Sequence, residues 1–206
     1  MRILLSILAS LMLFIACEPA AIPIDKPLPI LGNRVVEQGD TVYHTVPDFT
    51  FVNQDSQLVT NATFANQAYV VDFFFTSCPT ICPRVKKQML RLYDRYEEED
   101  QLRFLSHSID VKRDTVGRLK SYADGLGIET EKWHLVTGDK SAIYDIADDY
   151  FSTAIEDPDA PGGFDHSGLL ILVDPQRRVR AFCDGTNEEE VNQFMTYIDR
   201  LLYEMK

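Results

Sequence analysis

Residues 69–83 read YVVDFFFTSCPTICP, and this stretch decides the fold of the 206-residue chain. Its opening residues, 69–75, are apolar on both faces except at Asp72, which predicts a central strand buried on both sides. Cys78 and Cys82 follow within a short turn. Pro83 suits the first turn of a helix. The predicted buried face of that helix is Val85, Met89, Leu92, Tyr93 and Tyr96.

Strands and helices continue to alternate after this helix. We predict a strand at 102–109, a helix capped by Asp114, a short strand at 134–136 and a helix from about Lys140. The predicted buried residues of these two helices are Val116, Leu119, Ala123 and Leu126, and then Ile143, Ile146, Ala147, Tyr150 and Phe151.

The end of the chain predicts a loop, a hairpin and a last helix. A loop at 152–165 leads to strands 169–173 and 179–182, which flank a turn containing Asp174 and Pro175. Asn187 and Glu190 then have the spacing of a capping box. The predicted buried face of this helix is Val191, Phe194, Met195, Ile198, Leu201 and Leu202.

Two strand candidates at 49–52 and 57–60 flank a polar turn upstream of the central strand, and they predict an N-terminal hairpin. Strands that alternate with helices indicate a mixed sheet covered by helices on both faces. We therefore predict an α/β domain at 44–206 with a thioredoxin-like fold, in which a central mixed sheet is flanked by helices.

The first 43 residues are predicted to lie outside this domain. An apolar or small run at 3–15 is typical of an export signal, since as a helix it would rise only about 20 Å against roughly 30 Å of bilayer core. Residues 14–17 read FIAC, which resembles the lipobox of bacterial lipoproteins. We expect a signal peptide at 1–16, an acylated Cys17 and an extended, proline-containing tether at 17–43. Ordinary signal cleavage is the alternative.

The charge and the cysteine count limit the classes of partner. The chain carries 20 Lys and Arg against 32 Asp and Glu, a net charge of -12, which argues against a nucleic-acid partner. Without Cys17, three cysteines remain in a compartment where disulfides are permitted: Cys78, Cys82 and Cys183. An odd number with two close together indicates one working pair and one spare thiol.

The cysteine turn lies where α/β proteins carry their chemistry, between the carboxyl end of a strand and a helix N-terminus. The helix N-terminus lowers the pKa of a nearby thiol toward the reactive thiolate. One helical turn would bring the Cα atoms of Cys78 and Cys82 to about 6 Å, which allows either a disulfide or a shared metal ligand. Pro83 disfavours helix at Cys82, so a compact turn ahead of the helix is expected.

His166 is the histidine that we select as a partner for this pair. It lies in the sequence Asp165-His166-Ser167-Gly168, directly before a strongly apolar strand. Two thiolates and one imidazole suit Cu(I) or tetragonal Cu(II) better than calcium or magnesium, and structural zinc would need a fourth ligand. Asp165 is a candidate to hydrogen-bond the ring.

The Cys-x-x-x-Cys-Pro sequence after Phe-Phe-Thr-Ser, with the later Asp-His-Ser, resembles the Sco/SenC family over about 47–205. Further matches are Ser108-Ile109-Asp110, Arg113-Asp114-Thr115, Trp133, Thr137-Gly138 and Val173-Asp174-Pro175. The resemblance implies a thioredoxin-like copper metallochaperone that serves the dinuclear copper site of cytochrome c oxidase. It implies that Cys78, Cys82 and His166 bind copper, and that the partner is the oxidase copper-site subunit or another copper chaperone.

Two other functions are compatible with the same residues. A membrane-tethered thiol-disulfide oxidoreductase would use Cys78 and Cys82 as a redox dithiol, with a disulfide between them when oxidised and with no metal. A thiol peroxidase is also considered, because Phe-Thr-x-Cys-Pro-Thr resembles peroxiredoxins. Those proteins have Thr or Ser three residues before the reactive cysteine, where this chain has Phe75, so this reading ranks last.

The remaining candidates are read as structural. His107 precedes Asp110 at a predicted strand end and could approach the site, but a loop or strand-edge role is favoured, because buried polar groups are usually satisfied by the backbone. His44 and His134 are expected to be structural. Cys183 is expected to be a small core residue, and Trp133 a packing residue.

Overall fold

The computed structural model describes residues 26–206. The predicted signal peptide, Cys17 and the first part of the predicted tether lie outside the described residues. Within 26–206, no helix is both long enough and apolar enough to cross a membrane.

Eleven strands and four α-helices make up the described chain. The strands are β1 Arg34–Glu37, β2 Asp40–Tyr43, β3 Thr50–Asn53, β4 Leu58–Thr60, β5 Ala68–Phe74, β6 Leu102–Ser108, β7 Trp133–Thr137, β8 Ala154–Glu156, β9 Phe164–His166, β10 Leu169–Val173 and β11 Val179–Asp184. The helices are α1 Cys82–Arg95, α2 Val116–Leu126, α3 Lys140–Asp149 and α4 Glu188–Glu204, and a 3-10 turn covers Asn61–Phe64.

Seven strands form one mixed sheet in the order β11-β10-β5-β6-β7-β3-β4. The central strands β5, β6 and β7 are parallel to one another, and β10, β11, β3 and β4 complete the sheet by antiparallel pairing. All seven residues of β5 are buried, as a central strand covered on both faces requires. The β3–β4 hairpin at one edge confirms the predicted N-terminal hairpin.

Helices cover both faces of this sheet. On one face, Phe74 of β5 stacks on Tyr122 of α2, and α1 lies beside α4, where the Tyr96 hydroxyl donates to the carbonyl of Met195 at 3.0 Å. On the other face, Tyr150 at the end of α3 lies against Phe73. The predicted thioredoxin-like architecture is confirmed.

The structure differs from the prediction in the segment before the domain. Residues 34–43, predicted to be extended tether, form the antiparallel hairpin β1–β2. Its turn places Gln38 and Gly39 at φ of 52° and 96°, the left-handed conformation that two-residue hairpin turns need. Glutamine seldom adopts that conformation, so a turn at this position is hard to predict from residue preferences. Leu28 is also buried, and its carbonyl accepts a 2.7 Å hydrogen bond from Arg180.

Three local predictions are wrong. The predicted loop at 152–165 contains the β8–β9 hairpin, which forms a separate two-stranded sheet. Thr115, not Asp114, caps α2, because its hydroxyl accepts the Arg118 N–H while the Asp114 carboxylate is engaged elsewhere. Phe151 leaves the predicted buried stripe because α3 ends at Asp149, and it is 39% exposed at a φ of 57°.

Candidate metal centre

The two cysteines lie where β5 passes into α1. Cys78 is in the turn that follows β5, with its backbone N–H donating to the carbonyl of Phe75 at 3.2 Å. Cys82 is the first residue of α1, and Pro83 follows it in the first turn. A backbone N–H there has no intrahelical acceptor, so proline, which lacks the N–H, costs the helix no hydrogen bond. Both side chains are buried, with 9% of Cys78 and 3% of Cys82 exposed. Both thiols are free.

Asp114 holds the start of this turn. One carboxylate oxygen accepts the backbone N–H of Thr76 at 2.9 Å, and the other accepts the Thr76 hydroxyl at 2.5 Å. The Ser108 hydroxyl also donates to Asp114, at 2.6 Å. Because Asp114 is fully buried, these bonds fix the backbone two residues before Cys78. The local sequence predicts only a capping role for Asp114. Its contact with Thr76 is not predicted, because the two residues are distant in the chain.

His166 reaches the cysteines from the β8–β9 hairpin. It pairs with Ala154 across that hairpin, and its side chain is buried. The ring Nδ1 lies 3.2 Å from the carbonyl of Ser167. A carbonyl only accepts, so this contact assigns a proton to Nδ1 and directs Nε2 at the sulfurs. In the imidazolium form Nε2 donates to a thiolate, and in the neutral form it offers a lone pair to a metal ion. A ligating histidine is commonly oriented in this way.

The sulfur and nitrogen atoms of these three residues form one cluster. His166 Nε2 lies 3.3 Å from Cys82 Sγ and 4.0 Å from Cys78 Sγ. One ligand atom from each residue can be chosen such that all three lie within 4.8 Å of one another. Two metal–ligand bonds of roughly 2.0–2.3 Å each would span such separations. The cluster is thus of a size that one ion could bridge.

The two thiols are electrostatically unequal. Burial acts to raise the pKa of Cys78, but hydrogen bonds from His166, from the Thr80 backbone and from Cys82 outweigh it and lower this pKa to about 6. Burial raises the pKa of Cys82 well above its ordinary value, and the neighbouring Cys78 adds to that rise. The imidazole is nearer to Cys82. The negative charge of a thiolate nevertheless forms more readily on Cys78, because Cys78 is less buried and its sulfur accepts backbone N–H groups.

Aromatic side chains pack beside the cluster, where the cysteine turn meets the β8–β9 hairpin. The ring of Phe75 lies 5.0 Å from that of Phe164 and 5.7 Å from that of His166, measured between centroids. Gly162 has a φ of 86°, and a Cβ there would be 2.8 Å from the Phe75 ring. The hairpin therefore needs glycine at this point to lie so close to the cysteine turn.

The other predicted candidates lie away from the cluster. Asp165 is exposed, because strand alternation turns it to the side of β9 opposite His166, and the Ser167 carbonyl takes the ring contact predicted for it. His107 packs on the other face of the sheet, stacked on Phe73 at 5.0 Å. Neither of its ring nitrogens has a hydrogen-bond partner among the described residues, so the expected satisfaction by the backbone is wrong. His134 contacts the Asn53 amide at 3.2 Å, and His44 contacts the carbonyl of Asp149 at 2.8 Å.

Cys183 and Trp133 are buried residues, as expected of structural roles. Cys183 is buried in β11, and its burial raises its pKa to about 12. The Trp133 indole N–H donates to Ser106 at 2.8 Å in the core.

A buried ion pair behind the cysteines was not predicted. Lys86, one helical turn after Cys82, donates to the Asp72 carboxylate at 2.8 and 3.1 Å and to Ser106 at 2.9 Å. Both charged side chains are almost fully buried, and the ammonium lies 4.1 Å from the centroid of Phe74. The signal available in the sequence was Asp72 itself, the one acid within an otherwise apolar strand.

The fold and the cluster together define a thioredoxin-like protein with a centre of two thiols and one imidazole at the carboxyl edge of its sheet. A family model described as SCO1/SenC matches residues 37–202. The chain belongs to the SCO1/SenC family. A SCO1 protein homolog of Bacillus subtilis (strain 168) is 30% identical over 142 residues, which cover 68% of this chain and 74% of that protein.

Solved structures are similar over most of the chain. A SCO1/SenC family lipoprotein from Bacillus anthracis is 25% identical with a TM-score of 0.69, covering 76% of this chain and 94% of that one. BsSco, a member of the Sco family of cytochrome c oxidase assembly proteins in which a disulfide switch has been identified, is 26% identical with a TM-score of 0.68, covering 77% and 94%. Arabidopsis thaliana ScoI with copper bound shares the fold at 22% identity, with a TM-score of 0.65 and coverages of 78% and 99%.

Proposed function

We propose that this chain binds copper through Cys78, Cys82 and His166, and that the copper is a cargo delivered to the dinuclear copper site of cytochrome c oxidase. The observation that carries the proposal is the convergence of the three side chains, whose ligand atoms can lie within 4.8 Å of one another. The residues come from two distant stretches of the chain, so their meeting is a property of the fold.

The donor set fits copper. Thiolates select soft ions such as Cu(I), and imidazole also suits copper. Both oxidation states, Cu(I) and Cu(II), are compatible with two sulfurs and one nitrogen. The Ser167 carbonyl, by holding the proton on Nδ1, keeps Nε2 available without a prior change of tautomer. The membership of the SCO1/SenC family and the copper-bound relative support the same choice.

The proposed place of action is the extracytoplasmic face of a membrane in a bacterial cell envelope. The sequence FIAC at 14–17 supports acylation of Cys17, and the lipoprotein from Bacillus anthracis is a relative with that type of anchor. Several acyl chains hold a protein firmly on a bilayer. The proposed partners are the copper-site subunit of the oxidase, or another copper chaperone that exchanges copper with this domain.

Anaerobic reconstitution of the full-length protein with copper(I) tests this function. We expect one copper per chain, and a competition titration with a copper(I) chelator should show at least about 100-fold weaker binding for His166→Ala, since even indirect partners of metal ligands contribute 10–100-fold. His44→Ala, which removes a histidine remote from the cysteines, is the matched control and should bind as the wild type does. Equal affinity of wild type and His166→Ala would refute the proposal.

A second function is favoured by the inequality of the thiols. Cys78, with its lowered pKa, could attack a partner disulfide and expel one partner thiolate. Cys82 would then lose its proton to solvent and attack Cys78 Sγ, which releases the second partner thiolate and leaves a Cys78–Cys82 disulfide. Two electrons pass to the partner, and a dithiol reductant must restore the chain.

Trapping of the intermediate tests this second function. Cys82→Ser should accumulate a mixed disulfide between Cys78 and an oxidised copper-site domain of the oxidase, while His166→Ala should retain thiol exchange. Absence of the adduct in Cys82→Ser, together with no reduction of the oxidised domain by the wild type, would exclude the reductase function and leave copper binding untouched.

A further inference from the structure

A groove reaches the cysteines from the side away from the imidazole. It runs between α1 and the end of α2, with a volume of about 350 Å³, and Cys78 and Cys82 line one end of it. His166 does not line it. The two sulfurs therefore lie between the β8–β9 hairpin on one side and this groove on the other.

The walls of the groove are mainly apolar. Leu90 of α1 faces Tyr122 and Leu126 of α2, and all three are only partly buried in the core. From Pro83 to Leu90 the helix rises about 10 Å, which is the length of three residues of extended chain. A partly covered apolar wall of this size, next to reactive groups, is typical of a binding surface.

The charge of the groove is opposite to that of the protein. Its only charged lining residues are Lys86 and Lys87, and it has no acidic lining residue. Lys86 is neutralised by Asp72. Lys87 is exposed and makes no ion pair with residues in the described part of the chain, 26–206. Arg118 lies near the groove, where its Nε donates to Thr76 at 2.5 Å, but its charge is paired with Asp114 at 3.4 Å. Among the described residues, Lys87 is therefore the unpaired cation of the groove. The whole chain has a net charge of -12, so this positive charge is a local feature.

We propose that this groove is the docking site for a short, extended segment of the partner protein that carries apolar side chains and carboxylates. The inference rests on the proposed function, since the partner is the one that exchanges copper or electrons with Cys78 and Cys82. The apolar side chains pack on Leu90, Tyr122 and Leu126, and a carboxylate pairs with Lys87. A segment seated there presents a side chain to the sulfurs while His166 stays in place on their other side.

The charge argues for a foreign segment over a second copy of this chain. Two copies, each with a net charge of -12, repel at long range, whereas an acidic segment of limited size is attracted to the unpaired Lys87. The apolar wall supplies affinity, and Lys87 supplies orientation and selectivity between partners.

Methyl NMR on the full-length protein tests the chemistry of the occupant without the partner's identity. The probe is a blocked peptide of sequence Leu-Glu-Phe-Asp-Leu, and its counterpart has lysine in place of both acids. We expect the acidic peptide to shift the methyl signals of Leu90 and Leu126 in a saturable manner, and the lysine peptide to bind at least about tenfold more weakly. Lys87→Glu should weaken the acidic peptide about fivefold, and Leu90→Glu at least about tenfold.

The control and the contrary outcomes are specific. Lys206→Glu makes the same charge reversal outside the groove and should leave the peptide affinity within twofold of wild type. Equal binding of the two peptides, shifts confined to other leucines, or no shift at all would overturn the proposal.

Two alternative occupants would also show in the same spectra. Peptide binding that appears only after residues 18–25 are replaced by Gly-Ser would assign the groove to the chain's own N-terminal segment. Leu90 shifts that grow with protein concentration alone would assign it to a second copy. Either result overturns the docking proposal. Leu90→Glu should bind copper(I) as tightly as the wild type, so failure of the docking proposal can be told apart from failure of the proposed copper-binding function.

Discussion

The Asp114 carboxylate accepts both the backbone N–H and the hydroxyl of Thr76, at 2.9 and 2.5 Å, and so ties the turn before Cys78 to the end of the loop that leads into α2. The contact joins residues 38 apart in sequence. It explains why a fully buried acid is tolerated here, because a carboxylate that accepts several hydrogen bonds offsets the cost of its burial.

Asp114→Asn should destabilise the protein and weaken its copper(I) affinity together. The amide nitrogen cannot accept the donors that now point at the carboxylate, and a buried donor left without a partner costs about 1–3 kcal/mol. Urea unfolding of the metal-free protein and a copper(I) chelator titration would measure the two effects. Asp124→Asn, an exposed acid paired with Lys120, is the control and should change neither. A full loss of stability with unchanged copper affinity would show that Asp114 does not position the cysteine turn.

The reactivity of Cys78 should titrate near pH 6 in the metal-free protein. Its hydrogen bonds lower the pKa to about 6 against the opposing effect of burial, so the thiolate predominates above that pH. Alkylation by iodoacetamide, followed residue by residue with mass spectrometry, should rise around pH 6 at Cys78. His166→Ala should shift this rise to higher pH because it removes one of the hydrogen bonds.

Cys183 is the internal control for that measurement, because burial raises its pKa to about 12 and it should stay unmodified below pH 9. A Cys78 profile centred near pH 8.5, the ordinary range of a free thiol, would contradict the prediction.

Removal of either partner of the Lys86–Asp72 pair should destabilise the fold more than removal of both. Lys86→Met leaves a carboxylate uncompensated in the core, which costs about 3–5 kcal/mol. The double variant Lys86→Met with Asp72→Leu should recover most of this loss, since an apolar pair of similar volume often equals a buried ion pair. Urea midpoints of the two single variants and the double variant give the coupling energy. Additive losses would mean that the pair does not act as a unit.

His107 should make the protein sensitive to acid. It is fully buried, neither ring nitrogen has a hydrogen-bond partner in the described structure, and burial lowers its pKa to about 3. The unfolded chain therefore binds a proton near pH 6.5 that the folded chain does not bind until about pH 3. The stability associated with the neutral ring is present above pH 6.5 and is lost as the pH falls toward 3.

At two pH units below the pKa of His107 in the unfolded chain, the loss in free energy of unfolding amounts to about 2–3 kcal/mol. His107→Leu should remove that part of the pH dependence, so its free energy of unfolding should fall less than that of the wild type between pH 7 and 4.5. Parallel curves for the two proteins would contradict the prediction.

The parts of the fold that the sequence predicted well are governed by local pattern. β5, the cysteine turn and α1 follow one another within 68–95, and their burial follows directly from apolar periodicity. The pairing of His166 with the cysteines was reached through family resemblance, because no periodicity links residues 84 positions apart.

The features that were missed depend on contacts between distant residues or on unusual backbone conformations. Asp114 was assigned to the nearest helix, although its donors come from Thr76 and Ser108. The β8–β9 hairpin is only three residues per strand, too short for alternation to be recognised. The β1–β2 turn needs glutamine at positive φ, which no preference predicts.

The three donor residues are attached to different parts of the fold, and this has a mechanical consequence. Both sulfurs belong to the junction of the seven-stranded sheet with α1, whereas the nitrogen belongs to the β8–β9 hairpin, a two-stranded flap with its own hydrogen bonds. A small movement of that flap away from the cysteines would withdraw His166 Nε2 and leave both sulfurs in their original positions. Transfer of a bound ion would then begin with the loss of one ligand, and the two thiols would already be in place when the flap returned.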